Sequence, residues 1–533
     1  MLVTSRKLTF FDLPLEIVEN ILCEVDPLDI VRCREICRRL CNIIDASIEI
    51  QLRIELAIDG ELLIERGDLP ASKLRDSLRI KRQMRDELCV HQTQEIQCDN
   101  TASTPYEVNS GFFGHGIHPT DTDLFRGVSY TQIASILYQG TWQDREWPDL
   151  GMDIADLSFD SAQDLQILIE PRDNDSVKRV HFRTFNTNEV HPKANLPYID
   201  LHKEDFTTWD HCFSLLHGCY LALGMYEFFD AGGHTASHIV IRWDSGEYVM
   251  NQITASDIAF LDSSSVVLLF DRTGILSVGV FDLELGTQTG AYRLPSLGSP
   301  LSVFFIKNPA SIPTGSRSSG GHKTEADPRL SIIGIILRYL DSNLDIYVVL
   351  RKHKFVVKHH LLKNLYSEAI EFNWAEWGGG ISRWFTTRNI ADVSLRGIFG
   401  PRMLVRGNLD QGDQETENAP RLMLLDFNPR RIKEGKERKI HPEFTTVIVP
   451  DDLDLVSDGN SPYSATHIGF QLPFRAILRI SPSFEEYADI YLQEDVLIGR
   501  MDNLYHIFPL LPSNMADLLS SSIAETTGQT HSI

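Results

Sequence analysis

The chain is short of positive charge, of cysteine after residue 219, and of long apolar runs. Lys and Arg total 50 against 74 Asp and Glu in 533 residues, a net charge of −24. General nucleic-acid binders and anionic-membrane binders draw on cationic surface, so this balance argues against both partners. Six of the eight cysteines (Cys23, Cys33, Cys37, Cys41, Cys89 and Cys98) precede residue 100, and none follows Cys219. No Cys-x-x-Cys pair occurs, and the early cysteines sit among helix-spaced apolar residues. They read as small core hydrophobes in a reducing compartment. The longest apolar stretches, such as residues 331–336 and 266–270, are too short to span a bilayer, and residues 1–15 lack the apolar run of a signal peptide. A cytoplasmic or nuclear location without membrane attachment is expected.

Signatures of catalysis are missing as well. There is no Gly-x-Ser-x-Gly elbow, no His-Glu-x-x-His, no Walker loop and no Gly-x-Gly-x-x-Gly turn. His234 and His238 have helix-face spacing but fall just before a strand, where such residues do not converge, and read as a loop pair. His211, Cys212, His217 and Cys219 lie where residues 212–225 alternate as a strand pair around Gly218, which favours core or turn placement over metal binding. Acidic pairs such as Glu485-Glu486 and Asp451-Asp452 read as solvated surface. A glycosidase would need two carboxylates facing across a cleft, which spacing does not show. No catalytic residue, metal or cofactor is expected.

What is present divides at about residue 110. Residues 8–88 read as helical. Leu13, Ile17 and Ile21 recur at helical spacing with Leu22 alongside, and Pro14 suits the first turn. Asp26-Pro27 breaks this helix and Asp29 can cap the next, where Ile30, Cys33, Cys37, Leu40 and Ile44 form one apolar stripe. A third helix is expected over Ile48–Ala57, ending near Asp59-Gly60. A charged helix follows over 72–88, with Leu74, Leu78 and Met84 on one side. Residues 90–110 are polar and patternless.

From Gly111 the pattern changes to short apolar or alternating runs: 165–169, 180–185, 239–243, 266–270, 275–281, 301–305, 332–337, 346–350, 355–357, 403–405, 422–425, 445–449 and 476–480. Turn residues such as Asp271-Arg272-Thr273-Gly274 and Asp244-Ser245-Gly246 separate them. Many short strands over some four hundred residues suit a propeller of four-stranded blades better than a sandwich. A period of ~40–50 residues gives seven or eight blades. Trp243-Asp244, ahead of Gly246, fits a third strand running into a tight turn. The expected organisation is α+β multidomain: a small all-α domain at 8–60, a helical extension and linker at 61–110, a large all-β, propeller-like domain at 111–515, and a disordered tail at 516–533. Residues 311–328, 410–420 and 429–441 read as exposed loops.

The N-terminal segment resembles an F-box. Leu13-Pro14-Leu15-Glu16-Ile17-Val18-Glu19-Asn20-Ile21-Leu22 is followed by Asp26-Pro27-Leu28-Asp29-Ile30-Val31-Arg32-Cys33-Arg34-Glu35-Ile36-Cys37-Arg38-Arg39-Leu40 and then Ile43-Ile44. These match the family's Leu-Pro start, Asp-Pro-x-Asp turn and Cys-Arg-x-Leu helix; Leu40 stands where many members carry Trp. The resemblance implies docking to a Skp-type adaptor and, through it, a cullin. Leu13, Pro14, Ile17, Ile21, Leu22, Leu28, Ile30, Val31, Cys33, Ile36, Cys37 and Leu40 are the expected adaptor-binding set. A small helical trio has more apolar side chains here than it can bury, which agrees; a self-contained bundle using the same stripe is the alternative. The remainder is similar to the propeller-type F-box proteins abundant in fungi, through Tyr198-Ile199-Asp200, Ile241-Arg242-Trp243-Asp244-Ser245-Gly246, Phe260-Leu261-Asp262, Trp374-Ala375-Glu376-Trp377-Gly378, Leu424-Leu425-Asp426-Phe427-Asn428-Pro429 and Leu472-Pro473-Phe474-Arg475. In such proteins the second domain recruits a protein target.

Two basic clusters stand out. Arg351, Lys352, Lys354, Lys358 and Lys363 interleave with Phe355–Val357, and Arg430, Arg431, Lys433, Lys436, Arg438 and Lys439 form the second. Either could grip a phosphorylated target, with Arg351, Lys352, Lys354 and Lys358 the candidate target-binding residues. A solvated strand face and a mobile loop are the plainer readings. Trp374, Trp377 and Trp384 with Arg383 could form a ligand platform or pack a blade. The expected function is a non-catalytic target receptor of a ubiquitin ligase. An interaction scaffold outside a ligase, or a propeller hydrolase, are the alternatives.

Overall fold

The computed structural model describes residues 9–509, with internal stretches outside the description, the widest being 134–143, 307–322, 387–396, 408–420 and 450–471. Five helices come first: α1 (Leu15–Cys23), α2 (Pro27–Ile36), α3 (Arg38–Ala46), α4 (Ile48–Asp59) and α5 (Ala71–Glu87). Pro14 precedes α1 as its cap. Asp26, not Asp29, caps α2: its side chain accepts from the Leu28 amide at 2.9 Å, and Pro27 fills the first helical position. The stripe from Ile30 to Ile44 is not one helix. Cys37 adopts extended backbone between α2 and α3, so its periodicity survives a break that it conceals. α4 ends at Gly60, whose φ of 72° is the left-handed conformation that closes a helix.

The rest is a seven-bladed propeller. Seven sheets of four or five strands follow one another. Blade 1 spans residues 106–147, blade 2 156–202, blade 3 211–255, blade 4 257–293 with Glu371–Phe372 as a fifth, parallel strand, blade 5 302–386 apart from that strand, and blade 6 398–479. Blade 7 joins residues 489–509 to the strand Gln94–Gln97. The first strands of neighbouring blades touch, as Asp156–Asp160 does with Tyr106–Asn109 and with His211–His217, so they surround the axis. Seven apolar clusters, one between each pair of adjacent blades, close the ring. That between blades 7 and 1, for example, brings Ile96, Ile498 and Tyr505 against Val108 and Phe113. Strands from 94 and 106 thus enter the sheets ahead of the start at Gly111 that composition suggests.

Several local expectations change. Residues 355–357 are helical, inside α6 (Lys352–Leu365), not a strand. His234 and His238 both lie within the strand His234–Arg242. Residues 211–217 and 220–228 do pair around Gly218. Trp374 and Trp377 form α7 (Trp374–Trp377), and both pack with Trp384 in the core between blades 4 and 5 rather than presenting a platform. Within 311–328, residues 323–326 form a strand paired to Glu61–Glu65; within 429–441, α8 (Pro429–Glu434) forms. Residues 410–420, 435–441 and 516–533 lie outside the described residues.

Candidate functional site

α1 carries two apolar stripes, one position apart. Val18 and Leu22 are buried; Ile17 and Ile21 are exposed. The same division runs through α2, where Ile30 is fully buried (0% exposed) while Leu28, Val31 and above all Ile36 (70%) face outward. The inner set of Val18, Leu22, Ile30, Leu40, Ile44 and Ile50 forms a closed core, with Leu13, Cys33 and Cys37 half-buried against it. Leu22, Ile30 and Leu40, expected on the adaptor side, are instead buried in this core and hold the trio together. Pro14, Ile17, Ile21, Leu28, Val31 and Ile36 remain available. Leu15 and Ile48 are also exposed and were not in the expected set. Helical periodicity distinguishes one stripe from another but not which of two stripes faces inward. Ahead of α1, Arg39 donates to the Phe11 carbonyl at 3.0 Å and lies over its ring, fixing the approach to Leu13 and Pro14.

The helical unit is seated on one end of blades 5 and 6. The last carbonyls of α4 are capped from the propeller: Ala57 accepts from Arg430 at 2.7 Å, Ile58 from Asn428 at 2.9 Å and Asp59 from Arg402 at 2.6 Å. Cations at a helix C-terminus complement its dipole and satisfy groups the helix leaves unbonded. Below them runs a buried ionic chain. Arg82 reaches Glu55 at 2.7 Å and Asp59 at 2.9 Å, Arg85 reaches Glu61 at 2.5 Å, and Asp86 receives both Arg431 and Arg475. Burial pushes the Asp59 carboxyl up, opposed by its hydrogen bond to Arg82. Met84 of α5 and Leu88 just after it complete the cluster between blades 6 and 7. A cleft of about 630 Å³ remains between α1, α4 and the propeller, lined by Cys23, Leu52, Arg53, Leu63, Arg329 and Arg430 among others.

Part of each basic cluster is used internally. Arg351 is buried and donates to the Phe427 carbonyl, and Lys352 donates to Phe260 at 3.1 Å. Burial lowers the Lys352 amine to about 8. Lys354 reaches the Gly380 carbonyl at 3.2 Å. Arg351 and Lys352 are thus not the exposed donors expected, because Arg351 ends a blade 5 strand and Lys352 opens a helix folded onto blades 4 and 5. Arg430 and Arg431 belong to the α4 seat. Among the described residues no helix is long and apolar enough to cross a membrane.

Residues 10–49 match the family model of the F-box domain. No curated protein matches the chain. Among solved structures, the Dos1 propeller is 11% identical, with a TM-score of 0.35, covering 80% of this chain and 96% of that one. The WD40 domain of SCAP from fission yeast is 8% identical, with a TM-score of 0.32 and the same coverage, 80% and 96%. The uncharacterized protein lmo1340 from Listeria monocytogenes EGD-e is 6% identical, with a TM-score of 0.33, covering 63% and 82%. The blade count rests on this chain's own strand pairing, not on these likenesses.

Proposed function

We propose that this protein is the target-recruiting subunit of a Skp–cullin–F-box ubiquitin ligase, acting where cytoplasmic or nuclear ligases act. The carrying observation is the outer apolar stripe of the F-box helices. Ile17, Ile21, Leu28, Val31 and Ile36 stay exposed although an adjacent stripe already supplies the trio's core. Such a surface is what a partner's helices cover. The subunit performs no bond chemistry itself. The F-box holds the adaptor and the propeller holds a protein target, which raises the target's effective concentration at a conjugating enzyme bound elsewhere in the assembly.

Co-purification of the full chain with a Skp-type adaptor tests this reading, beside a variant combining Ile17→Ala, Leu28→Ala and Ile36→Ala. A stoichiometric complex lost in the variant, with the propeller still folded, is the expected result. Undiminished adaptor capture by the variant would sink the assignment.

A further inference from the structure

In each blade the turn joining the third strand to the fourth lies at the same end as the turn joining the first to the second, because the strands alternate in direction. The α4 seat is built from that end of blades 5 and 6. On blades 2, 3 and 4 the same end carries a row of exposed apolar side chains: Val190, Leu196 and Tyr198 on blade 2, Tyr248 on blade 3 and Leu285 on blade 4. Leu285, at 69% exposed, is the most exposed large apolar side chain of the described propeller residues.

These turns interlock. The Asn195 amide donates to the Asp244 carbonyl at 2.8 Å, and Leu196 sits so close that a Cβ on Gly246 would meet its Cδ1 at 2.9 Å. A Cβ on Gly286 would meet the Val249 carbonyl at 2.5 Å, so the blade 4 turn abuts the start of the blade 3 outer strand. The row is therefore one ridge across three blades. Scattered single hydrophobes are ordinary on a protein surface, whereas a continuous ridge marks contact with a partner.

Charge indicates the partner. An exposed carboxylate precedes an apolar residue in each turn region: Glu189 before Val190, Glu247 before Tyr248, Glu284 before Leu285. None of the three has an ion pair among the described residues. Two nearby guanidiniums are held by carboxylates, Arg179 by Asp200 at 2.7 Å, lying over the Tyr198 ring, and Arg242 by Asp244 at 3.0 Å, while Arg183, opposite Val190, donates to Asn188 Oδ1 at 3.2 Å. Lys193 alone offsets the three acids within these turns.

We infer that this ridge is the target-docking surface and that it takes a polypeptide segment whose apolar or aromatic side chains are flanked by Lys and Arg. The inference rests on the receptor reading, and it places the target on the same end of the propeller as the F-box.

The test immobilises the full chain through a C-terminal tag and reads adaptor capture in parallel. The probes are arrayed synthetic peptides in two matched families, with identical Leu/Tyr centres flanked either by Lys/Arg or by Asp/Glu. Saturable binding of the basic family is expected, weakened at least about tenfold by Val190→Asp with Leu285→Asp and by Glu247→Lys with Glu284→Lys, and reduced by salt. Both variants should keep adaptor capture and melting temperature. Equal binding of the two families, or binding untouched by either variant, overturns the inference. So does self-association of the wild type that the ridge variants abolish, which would make the ridge an interface between copies. Adaptor capture lost while the peptide preference persists upholds the surface and overturns the receptor reading.

Discussion

Ile17 and Ile30 are the same residue type in one small domain, and their environments are opposite. Ile30 is sealed in the trio's core and Ile17 looks outward. Ile30→Ala should cost about 2–5 kcal/mol of stability through the cavity it leaves, and Ile17→Ala less than about 0.5 kcal/mol. Adaptor affinity should respond in the opposite order once the fraction folded is corrected for, and paired thermal melts and binding titrations decide it. His359 offers a second residue-scale test. It is buried on α6, its Nδ1 2.6 Å from the Tyr292 hydroxyl, and burial with His360 and Lys363 nearby lowers it from 6.5 to about 4. The fold thus prefers the neutral ring. The unfolded chain takes up the proton first, so the stability this preference contributes is present above pH 6.5 and is lost as pH falls toward 4. His359→Gln should flatten that part of a melting temperature versus pH curve; an unchanged slope would show that the loss lies with other groups.

At the scale of elements, the seat of α4 fastens the F-box helices to the propeller. Gly60 turns the chain in left-handed backbone, and a Cβ there would meet Asn428 Nδ2 at 3.2 Å and Leu330 Cδ1 at 3.3 Å. Gly60→Ala should therefore cost about 1–2 kcal/mol. Arg402 is buried between the Asp59 carbonyl and Asp426, so Arg402→Ala leaves buried partners unsatisfied and should cost about 3 kcal/mol. Arg430→Ala, at a half-buried cap, should cost about 1 kcal/mol. Hydrogen exchange at residues 57–60 should quicken in the order Arg430→Ala, then Arg402→Ala; equal protection would deny the cap its role. Elements of this kind were unevenly legible in the sequence. The helix ends at Asp26-Pro27 and Asp59-Gly60 announce themselves, because capping residues act locally. The α2–α3 break at Cys37 does not, since extended backbone there leaves the stripe's spacing intact. Phe355–Val357 misleads for the opposite reason: three apolar β-formers in a row look like a strand, yet they form a helix from which Phe355 packs against Tyr292 and Trp377 while Val357 faces water. The outer stripe of the F-box was legible as apolar surplus, but which stripe faces outward depends on contacts with α3 and α4 that no local pattern carries.

The whole molecule depends on where its ring closes. Blade 7 takes its outer strand, Gln94–Gln97, from the chain segment ahead of blade 1, paired antiparallel with Leu504–Pro509. The first strand of blade 1, Tyr106–Asn109, also lies before Gly111. Composition puts the boundary at Gly111 because 90–110 is polar, and outer propeller strands can be polar when one face meets water. A chain beginning at residue 111 would thus lose the inner strand of blade 1 and the outer strand of blade 7 together, on both sides of one seam. It would uncover Phe113, Tyr505 and Ile507, which are buried in the intact ring. Open sheet edges beside exposed apolar surface invite aggregation. A chain beginning at residue 48 keeps both strands and the packed α4–α5 pair, with Met84 and Leu88 still seated between blades 6 and 7. It should elute as a single species and melt cooperatively, while the chain from 111 should aggregate or melt at least about 10 °C lower. Calorimetry and size-exclusion chromatography of the two distinguish these outcomes. Matching melts would mean that the seam is held by blade-to-blade packing alone, and that the segment before blade 1 serves the F-box rather than the ring.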